Sequence, residues 1–251
     1  MTKIIILPFL CLVASLSAAP TREAFALEER SITGVPIDAF ELGDDNLTIE
    51  LWARSPMIFS PVAMDFDAQG RLWLTEGIDY QRGLRTEGGR SIMVLEDKDW
   101  DGKADSSHVF VTDPDIRHAA LGIAVFDNRI VLSSTPSIIV YTDVNRNAVF
   151  DEGIDKREVF LTGFRDASHD HTLHAVVGAP SGQWHFSYGN RGADIKTKDG
   201  RHHISGCYYG YSDGIGKKSS DGEVYVGGMT MRVNPDGTGL TPTGENMRNS
   251  H

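Results

Sequence analysis

Three histidines and one aspartate fall within seven residues of this chain, in the segment Ser168-His169-Asp170-His171-Thr172-Leu173-His174. An imidazole titrates near neutral pH, so a histidine at the mouth of a strand pair is well placed to accept a proton. The alternative is that these histidines are solvated loop residues or a hydrogen-bonded cluster without catalytic chemistry. The spacing alone is compatible with both interpretations.

A β-hairpin pattern follows the histidines and would position them. An apolar run leads to the turn Pro180-Ser181-Gly182, and an alternating run then ends in Gly189-Asn190-Arg191-Gly192. Earlier hairpin patterns turn at 67–70 and at 127–128, and a second strand pairing follows each of them. These second pairings join 91–95 to 108–111 and 137–141 to 158–161.

Composite units of this kind, with about four strands each, are typical of the blades of a β-propeller. A β-sandwich also has short strands and regular turns, but it would not repeat the same unit. We therefore expect an all-β fold, an incomplete β-propeller with about three to four blades of a six-bladed ring. Because such a number of blades does not close a ring, we expect the N-terminal part of a longer protein, truncated at the C-terminus of this chain.

The first 18 residues have the pattern of a signal peptide: Lys3 precedes an apolar run, and small residues follow at Ala18 and Ala19. We expect a secreted or periplasmic protein, with membrane association through an uncleaved signal as the alternative. Residues 19–46 are a poorly patterned lead-in, and residues 47–251 form the partial propeller. Cleavage would remove Cys11 and leave Cys207, so no disulfide is expected within this segment.

The chain has a net charge of −11, and its sequence contains no block of basic residues. Nucleic acid is therefore not expected as a partner. Two acidic loops stand out, and we call them comb 1 and comb 2. Comb 1 has ligand-type side chains at Asp97, Asp99, Asp101 and Asp105, and comb 2 has them at Asp143, Asn145, Asn147 and Asp151.

Alternating oxygen ligands in a short loop can wrap one Ca²⁺, which takes six to eight oxygens. The combs thus predict calcium in a structural role, since the distant glutamate of an EF-hand is missing from both. The alternative is a pair of hairpin loops closed by Asx-turns without metal.

The pattern Phe66-Asp67-x-x-Gly70-Arg71-Leu72-Trp73-x-x-Glu76, the combs and the His171 hairpin resemble the quinoprotein glucose/sorbosone dehydrogenase-like propellers. The branch of membrane-bound dehydrogenases is the most similar. The resemblance covers about residues 47–251. It implies an exported dehydrogenase that oxidises sugars or other alcohols with pyrroloquinoline quinone (PQQ), with His171 as the general base.

The same resemblance implies that Arg248 and Asn249 contact the quinone. Two positions depart from the family pattern: Asn190 stands where an Asp is usual, and Ser250 stands where a Pro is usual. Electrons would pass to an acceptor such as a haem-c domain, either downstream or separate, because no Cys-x-x-Cys-His occurs in this chain. The alternative function is a non-catalytic propeller that binds carbohydrate or protein.

Other residues have expected supporting roles. Trp73 and Trp184 should fill blade interiors. His174 would be either a partner of His171 or a core residue, and His169 with Asp170 would either orient His171 or lie in a plain loop. The polar insertion 191–222, which contains His202 and His203, could cover an active site as a lid.

Overall fold

The computed structural model describes residues 37–77, 90–116, 120–165, 171–207 and 216–248, without the side chains of Asp38 and Cys207. Within these ranges the chain is all-β, apart from one short 3-10 helix, Ile37–Ala39. No helix in the described ranges is long and apolar enough to cross a membrane. The strands are β1 (Pro61–Phe66), β2 (Leu72–Glu76), β3 (Arg90–Glu96), β4 (Ser106–Asp113), β5 (Gly122–Phe126), β6 (Arg129–Ser134), β7 (Ser137–Thr142), β8 (Lys156–Phe164), β9 (Leu173–Gly178), β10 (Trp184–Tyr188), β11 (Ala193–Lys196), β12 (His203–Cys207), β13 (Tyr225–Val226), β14 (Gly228–Val233) and β15 (Thr241–Met247).

These strands form three antiparallel four-stranded blades. Blade 1 has the order β1-β2-β3-β4, blade 2 contains β5 to β8 in sequence, and blade 3 has the order β9-β10-β14-β15. The first strands of the blades, β1, β5 and β9, contact one another in turn, as inner strands do around a propeller axis. The prediction of an all-β, incomplete β-propeller is confirmed.

The insertion between β10 and β14 differs from the expected lid. Strand β11 pairs antiparallel with β8, the outer strand of blade 2, and β12 and β13 continue the same sheet to seven strands. Ile195 of β11 lies directly opposite Ile204 of β12. Both are buried, and they extend the core of blade 2 outward. The described part of the insertion is therefore an outer extension of blade 2, and the lid prediction is wrong for these residues.

The blades are held together by apolar side chains on their facing surfaces. Phe110 of blade 1 packs edge-to-face against Trp73 of the same blade and against Tyr141 of blade 2. Trp184 of blade 3 stacks on Phe126 of blade 2, with ring centroids 5.3 Å apart. Both tryptophans are buried, as predicted, and truncating either to alanine would cost about 3–5 kcal/mol.

The motif that carries the family resemblance closes the first hairpin. The Asp67 carboxylate accepts hydrogen bonds from the backbone N–H of Gln69 and Arg71, from Arg71 Nε at 2.6 Å and from Trp73 Nε1 at 2.8 Å. Burial alone would raise the pKa of Asp67, but the bonds from Trp73 and Arg71 outweigh burial and hold this pKa below its ordinary value. Glu76 also bonds to the backbone, since its Oε1 accepts a hydrogen bond from the N–H of Phe59 at 2.8 Å. The motif is therefore a folding element of blade 1.

The antiparallel order gives the blades two distinct ends. We call the end where β9 begins and β10 finishes the histidine end, because His171 directly precedes β9. The opposite end carries the β1–β2 and β5–β6 turns and both combs, which connect β3 to β4 and β7 to β8. We call it the comb end. The candidate base and the candidate calcium loops thus lie at opposite ends of the strands.

Candidate functional site

His171 is partly buried at the histidine end and contacts the side chain of Asn190. Its Nδ1 lies 2.8 Å from the Oδ1 of Asn190. An amide oxygen can only accept, so this contact places a proton on Nδ1. The Nε2 of the neutral ring is then the basic nitrogen, which is the form that a general base requires.

The backbone around this pair is closely packed. Gly189 N–H donates to the carbonyl of Thr172 at 2.7 Å, and Arg191 N–H donates to the carbonyl of His171 at 3.2 Å. A Cβ on Gly189 would lie only 2.6 Å from the carbonyl carbon of His171. The Gly-Asn step after β10 is therefore what lets the backbone of His171 approach the turn that carries Asn190.

Arg248 reaches the same corner through its backbone. Asn190 N–H donates to the carbonyl of Arg248 at 2.9 Å, which ties the residue after β15 to the turn after β10. The side chain of Arg248 is exposed. The structure thus brings two of the sequence-predicted residues, His171 and Arg248, together through Asn190, a residue that the sequence offered only as a departure from the family pattern.

Other predicted residues are placed elsewhere or are not described. His174 is a fully buried core residue of β9. His169, Asp170 and Asn249 lie outside the described residues. Among the residues that the structure describes, the group of side chains that could hold a metal ion contains no histidine.

That group belongs to comb 1, at the comb end. Asp97, Asp99 and Asp105 each offer one carboxylate oxygen, and these oxygens all lie within 4.8 Å of one another. Asp101 takes another role, because its Oδ1 accepts the N–H of Lys103 at 2.9 Å. Like charges at this separation repel, and a bound cation would relieve the repulsion.

Comb 2 repeats the backbone of comb 1. Asp97 accepts N–H groups from the fourth and fifth residues after it, and Asp143 does the same from Asn147 at 3.2 Å and from Ala148 at 2.8 Å. Ala148 has a φ of 60°, in the left-handed region that Gly102 occupies in comb 1 with a φ of 87°. The two loops are therefore equivalent turns. In comb 2 an alanine occupies the left-handed region, where a residue with a Cβ is strained.

The charges within comb 2 are arranged differently. The side-chain amides of Asn145 and Asn147 both donate to Asp151 Oδ2 at 2.7 Å, and these bonds lower the pKa of Asp151. The counterpart of Asp105 by contact is Asp155: Asp105 accepts the N–H of Lys98, and Asp155 accepts the N–H of Val144 at 2.8 Å. Sequence spacing missed Asp155 because comb 2 is longer than comb 1 at this point. Hydrogen bonds from these amides thus offset part of the negative charge within comb 2, and comb 1 has no amide side chains that could do the same.

A further buried network joins the first two blades and has no signal in the sequence. Asp113, at the end of β4, accepts hydrogen bonds from Tyr141 Oη at 2.6 Å and from Arg157 Nε at 2.5 Å. Burial opposes ionisation of Asp113, but the bonds from Arg157 and Tyr141 together hold its pKa below the ordinary value. Burial and the nearby carboxylate raise the pKa of Tyr141. The network stabilises the interface between the blades.

Comparisons with solved structures return matches of low sequence identity. A carbohydrate-active enzyme of family AA12 from Trichoderma reesei is 15% identical, with a TM-score of 0.40, and the match covers 56% of this chain and 32% of that one. A protein from Lactobacillus plantarum is 8% identical, with a TM-score of 0.38 and coverage of 74% and 55%. Virginiamycin B lyase from Staphylococcus aureus is 13% identical, with a TM-score of 0.35 and coverage of 73% and 55%.

The chain spans about a third to a half of the length of these structures, from 32% to 55%. No curated protein matches the sequence. A family model does match it, over residues 37–236, and its description is a domain of unknown function, DUF7133. Because this match covers most of the chain, the chain belongs to the DUF7133 family.

Proposed function

We propose that this chain is the propeller portion of an exported quinone-dependent dehydrogenase that oxidises sugars or other alcohols. The observation that carries the proposal is the His171–Asn190 contact of 2.8 Å, with the Arg248 backbone bound to the same asparagine. It brings His171 and Arg248, two of the three residues that the quinoprotein resemblance selects, to one corner of the histidine end. This arrangement supports a base with a defined tautomer beside a cationic residue.

The chemistry follows from the properties of these side chains. Nε2 of His171 would accept the proton of the substrate hydroxyl, and the growing negative charge on that oxygen makes departure of hydride from the adjacent carbon easier. Pyrroloquinoline quinone, when bound, would supply the hydride acceptor. The Arg248 guanidinium stays cationic at any working pH and would hold anionic oxygens of the cofactor. Asn249 would add an amide donor there.

The donor set fits such a cofactor, with one difference from the family pattern. Asn190 orients the imidazole as an aspartate would, but it brings no negative charge to balance an imidazolium. The contact with Asn190 thus contributes the orientation of the base to the proposed site.

Calcium belongs to the proposal as a structural ion at the comb end. The convergence of Asp97, Asp99 and Asp105 supports a cation in comb 1. The homologous turn of comb 2, with Asp143 and Asp155, is the weaker second candidate. Export through residues 1–18 and electron transfer to a haem-c domain or another acceptor complete the proposed context.

Cofactor binding provides the test. Titrating the intact protein with PQQ, followed by quenching of tryptophan fluorescence, should give saturable binding. Arg248→Gln should weaken this binding roughly tenfold, as expected for loss of a charge-assisted hydrogen bond. The matched control is Arg232→Gln, an exposed arginine of β14, which should bind as the wild type does. Absence of saturable binding to the intact protein would contradict the proposal.

The alternative is a propeller that binds carbohydrate without catalysis. A polar cavity at the comb end, remote from His171, offers a candidate binding site for such a ligand. This alternative therefore has its own test.

A further inference from the structure

A cavity of about 170 Å³ opens at the comb end between blades 1 and 2. The β1–β2 turn, the β5–β6 turn and comb 2 each contribute to its walls. With about 30 Å³ for each water molecule, it has room for roughly five or six waters. This is too small for an extended ligand and suits a single small polar molecule.

Several polar groups on the cavity walls retain hydrogen-bonding capacity. Arg71 uses only its Nε on Asp67, so its two terminal nitrogens have no acceptor within the described ranges. The side-chain amide of Gln69 makes no hydrogen bond to a described residue. Asn128 donates its Nδ2 to the carbonyl of Asp143, and its Oδ1 receives no donor from the described part of the chain. The cavity thus presents donors and acceptors together.

The positive charges on the walls are already paired with carboxylates, which argues against an anionic ligand. Arg146 forms a bidentate pair with Asp127, with both distances at 2.6 Å, and Arg71 is paired with Asp67. The buried Asp143 carboxylate adds a negative charge to the same wall. A neutral ligand that both donates and accepts, and so displaces several waters at once, matches this lining better than an ion does.

We infer that this cavity binds a neutral polyhydroxylated molecule of the size of one monosaccharide. Its hydroxyl oxygens would accept from the Arg71 guanidinium and the Gln69 amide, and a hydroxyl would donate to Asn128 Oδ1. The site lies at the opposite end of the blades from His171, so it does not depend on the proposed dehydrogenase function.

Nuclear magnetic resonance of the intact protein tests the inference directly. The indole N–H of Trp73 is a local reporter, because Trp73 lines the cavity and its N–H donates at 2.8 Å to Asp67, which also accepts from the wall residue Arg71. D-glucose, D-galactose and myo-inositol are titrated separately, and sodium phosphate is the anionic comparison. We expect at least one of the three polyols to shift the Trp73 indole signal and the Asn128 amide signal saturably, and phosphate to leave them in place.

Variants then locate the binding. Gln69→Ala removes one proposed donor, and Arg71→Lys removes the terminal guanidinium nitrogens while it keeps a positive charge beside Asp67. Each should weaken polyol binding roughly tenfold, about the effect of one hydrogen bond. Arg232→Gln, outside the cavity, and His171→Ala, at the other end, should bind the polyol as the wild type does. The inference is overturned if no polyol shifts these signals at tens of millimolar, if phosphate binds instead, or if both cavity variants bind normally.

Discussion

Asn190 receives a hydrogen bond from Nδ1 of His171 at 2.8 Å while its own backbone N–H donates to the carbonyl of Arg248 at 2.9 Å. One residue therefore sets the tautomer of the candidate base and ties it to the chain beyond β15. The two edge strands of blade 3, β9 and β15, are connected at this corner, although they do not pair with each other. Substitution of Asn190 should therefore reduce the activity that depends on His171 more than it reduces the stability of the fold.

Removing the asparagine side chain should reduce turnover of the proposed dehydrogenase. Asn190→Ala removes the 2.8 Å contact that orients the imidazole, and misplacement of a catalytic group by about 1 Å can cost roughly 100-fold in rate. We expect kcat to fall about 10- to 100-fold with little change in KM. Asn190→Asp keeps an oxygen acceptor and should recover most of the loss. An Asn190→Ala enzyme with wild-type kcat would show that the contact does not position the base.

Adding one methyl group to Gly189 should destabilise the histidine end. The Cβ would lie 2.6–2.8 Å from backbone atoms of His171, which cannot move aside as a side chain can. We expect Gly189→Ala to lower the free energy of unfolding by about 1–3 kcal/mol, measured by urea denaturation. The control is Gly43→Ala, where no atom lies within 4 Å of the new Cβ and no loss is expected. Equal stability of the two variants would refute the close approach.

Calcium should stabilise the protein through comb 1. At a hundredfold excess over Kd a bound ion contributes about 2.7 kcal/mol, which corresponds to a rise in Tm of about 5–10 °C for a chain of this size. Asp99→Asn should remove most of this rise, because Asp99 is one of the three converging carboxylates. Asp45→Asn changes an exposed acid outside the combs and should keep the full response. Scanning calorimetry with and without Ca²⁺ decides between these outcomes, and an undiminished response in Asp99→Asn would place the ion elsewhere.

The Asp113 network should make the blade interface sensitive to acid. The pKa of Asp113 is lower in the folded protein than the unfolded value of about 3.9, so its contribution to stability is complete above that pH. The contribution is lost as the pH falls from about 4 through the folded pKa, since protonation removes the acceptor of the Arg157 bond. Urea unfolding followed from pH 6 down to about pH 3 should record this loss.

Asp113→Asn provides the comparison for that pH series. It should cost about 2–3 kcal/mol at neutral pH, because Arg157 and Tyr141 lose a charged acceptor. The slope of stability against pH below about 4 should become shallower than in the wild type. An unchanged slope would mean that other carboxylates account for the acid response.

The local parts of the fold could be predicted from the sequence. The paired segments 62–66 with 71–75, 122–126 with 129–133 and 173–177 with 183–187 alternate in hydrophobicity and are separated by short turns. All of them form antiparallel pairs in the structure. Patterns of this kind depend only on neighbouring residues, so one sequence carries them.

The non-local parts could not be predicted in the same way. Pairing of β11 with β8 joins an insertion of blade 3 to the edge of blade 2, and no local pattern encodes that partner. Asp155 replaces Asp151 as the carboxylate that caps Val144, because extra residues in comb 2 break the simple spacing. The Asn190 contact likewise depends on how the turn after β10 folds back on His171, which spacing alone does not specify.

The central claim is that His171 is the base of a quinone-dependent oxidation. Its most direct test is dye-linked oxidation of aldoses and simple alcohols by the intact protein, reconstituted with PQQ and Ca²⁺. His171→Ala is measured beside a surface control, Val177→Ala, which changes an exposed residue of β9. We predict substrate-dependent dye reduction in the wild type and in Val177→Ala, and its loss by about 100-fold or more in His171→Ala with PQQ binding retained. Turnover by His171→Ala at the wild-type rate would contradict the account.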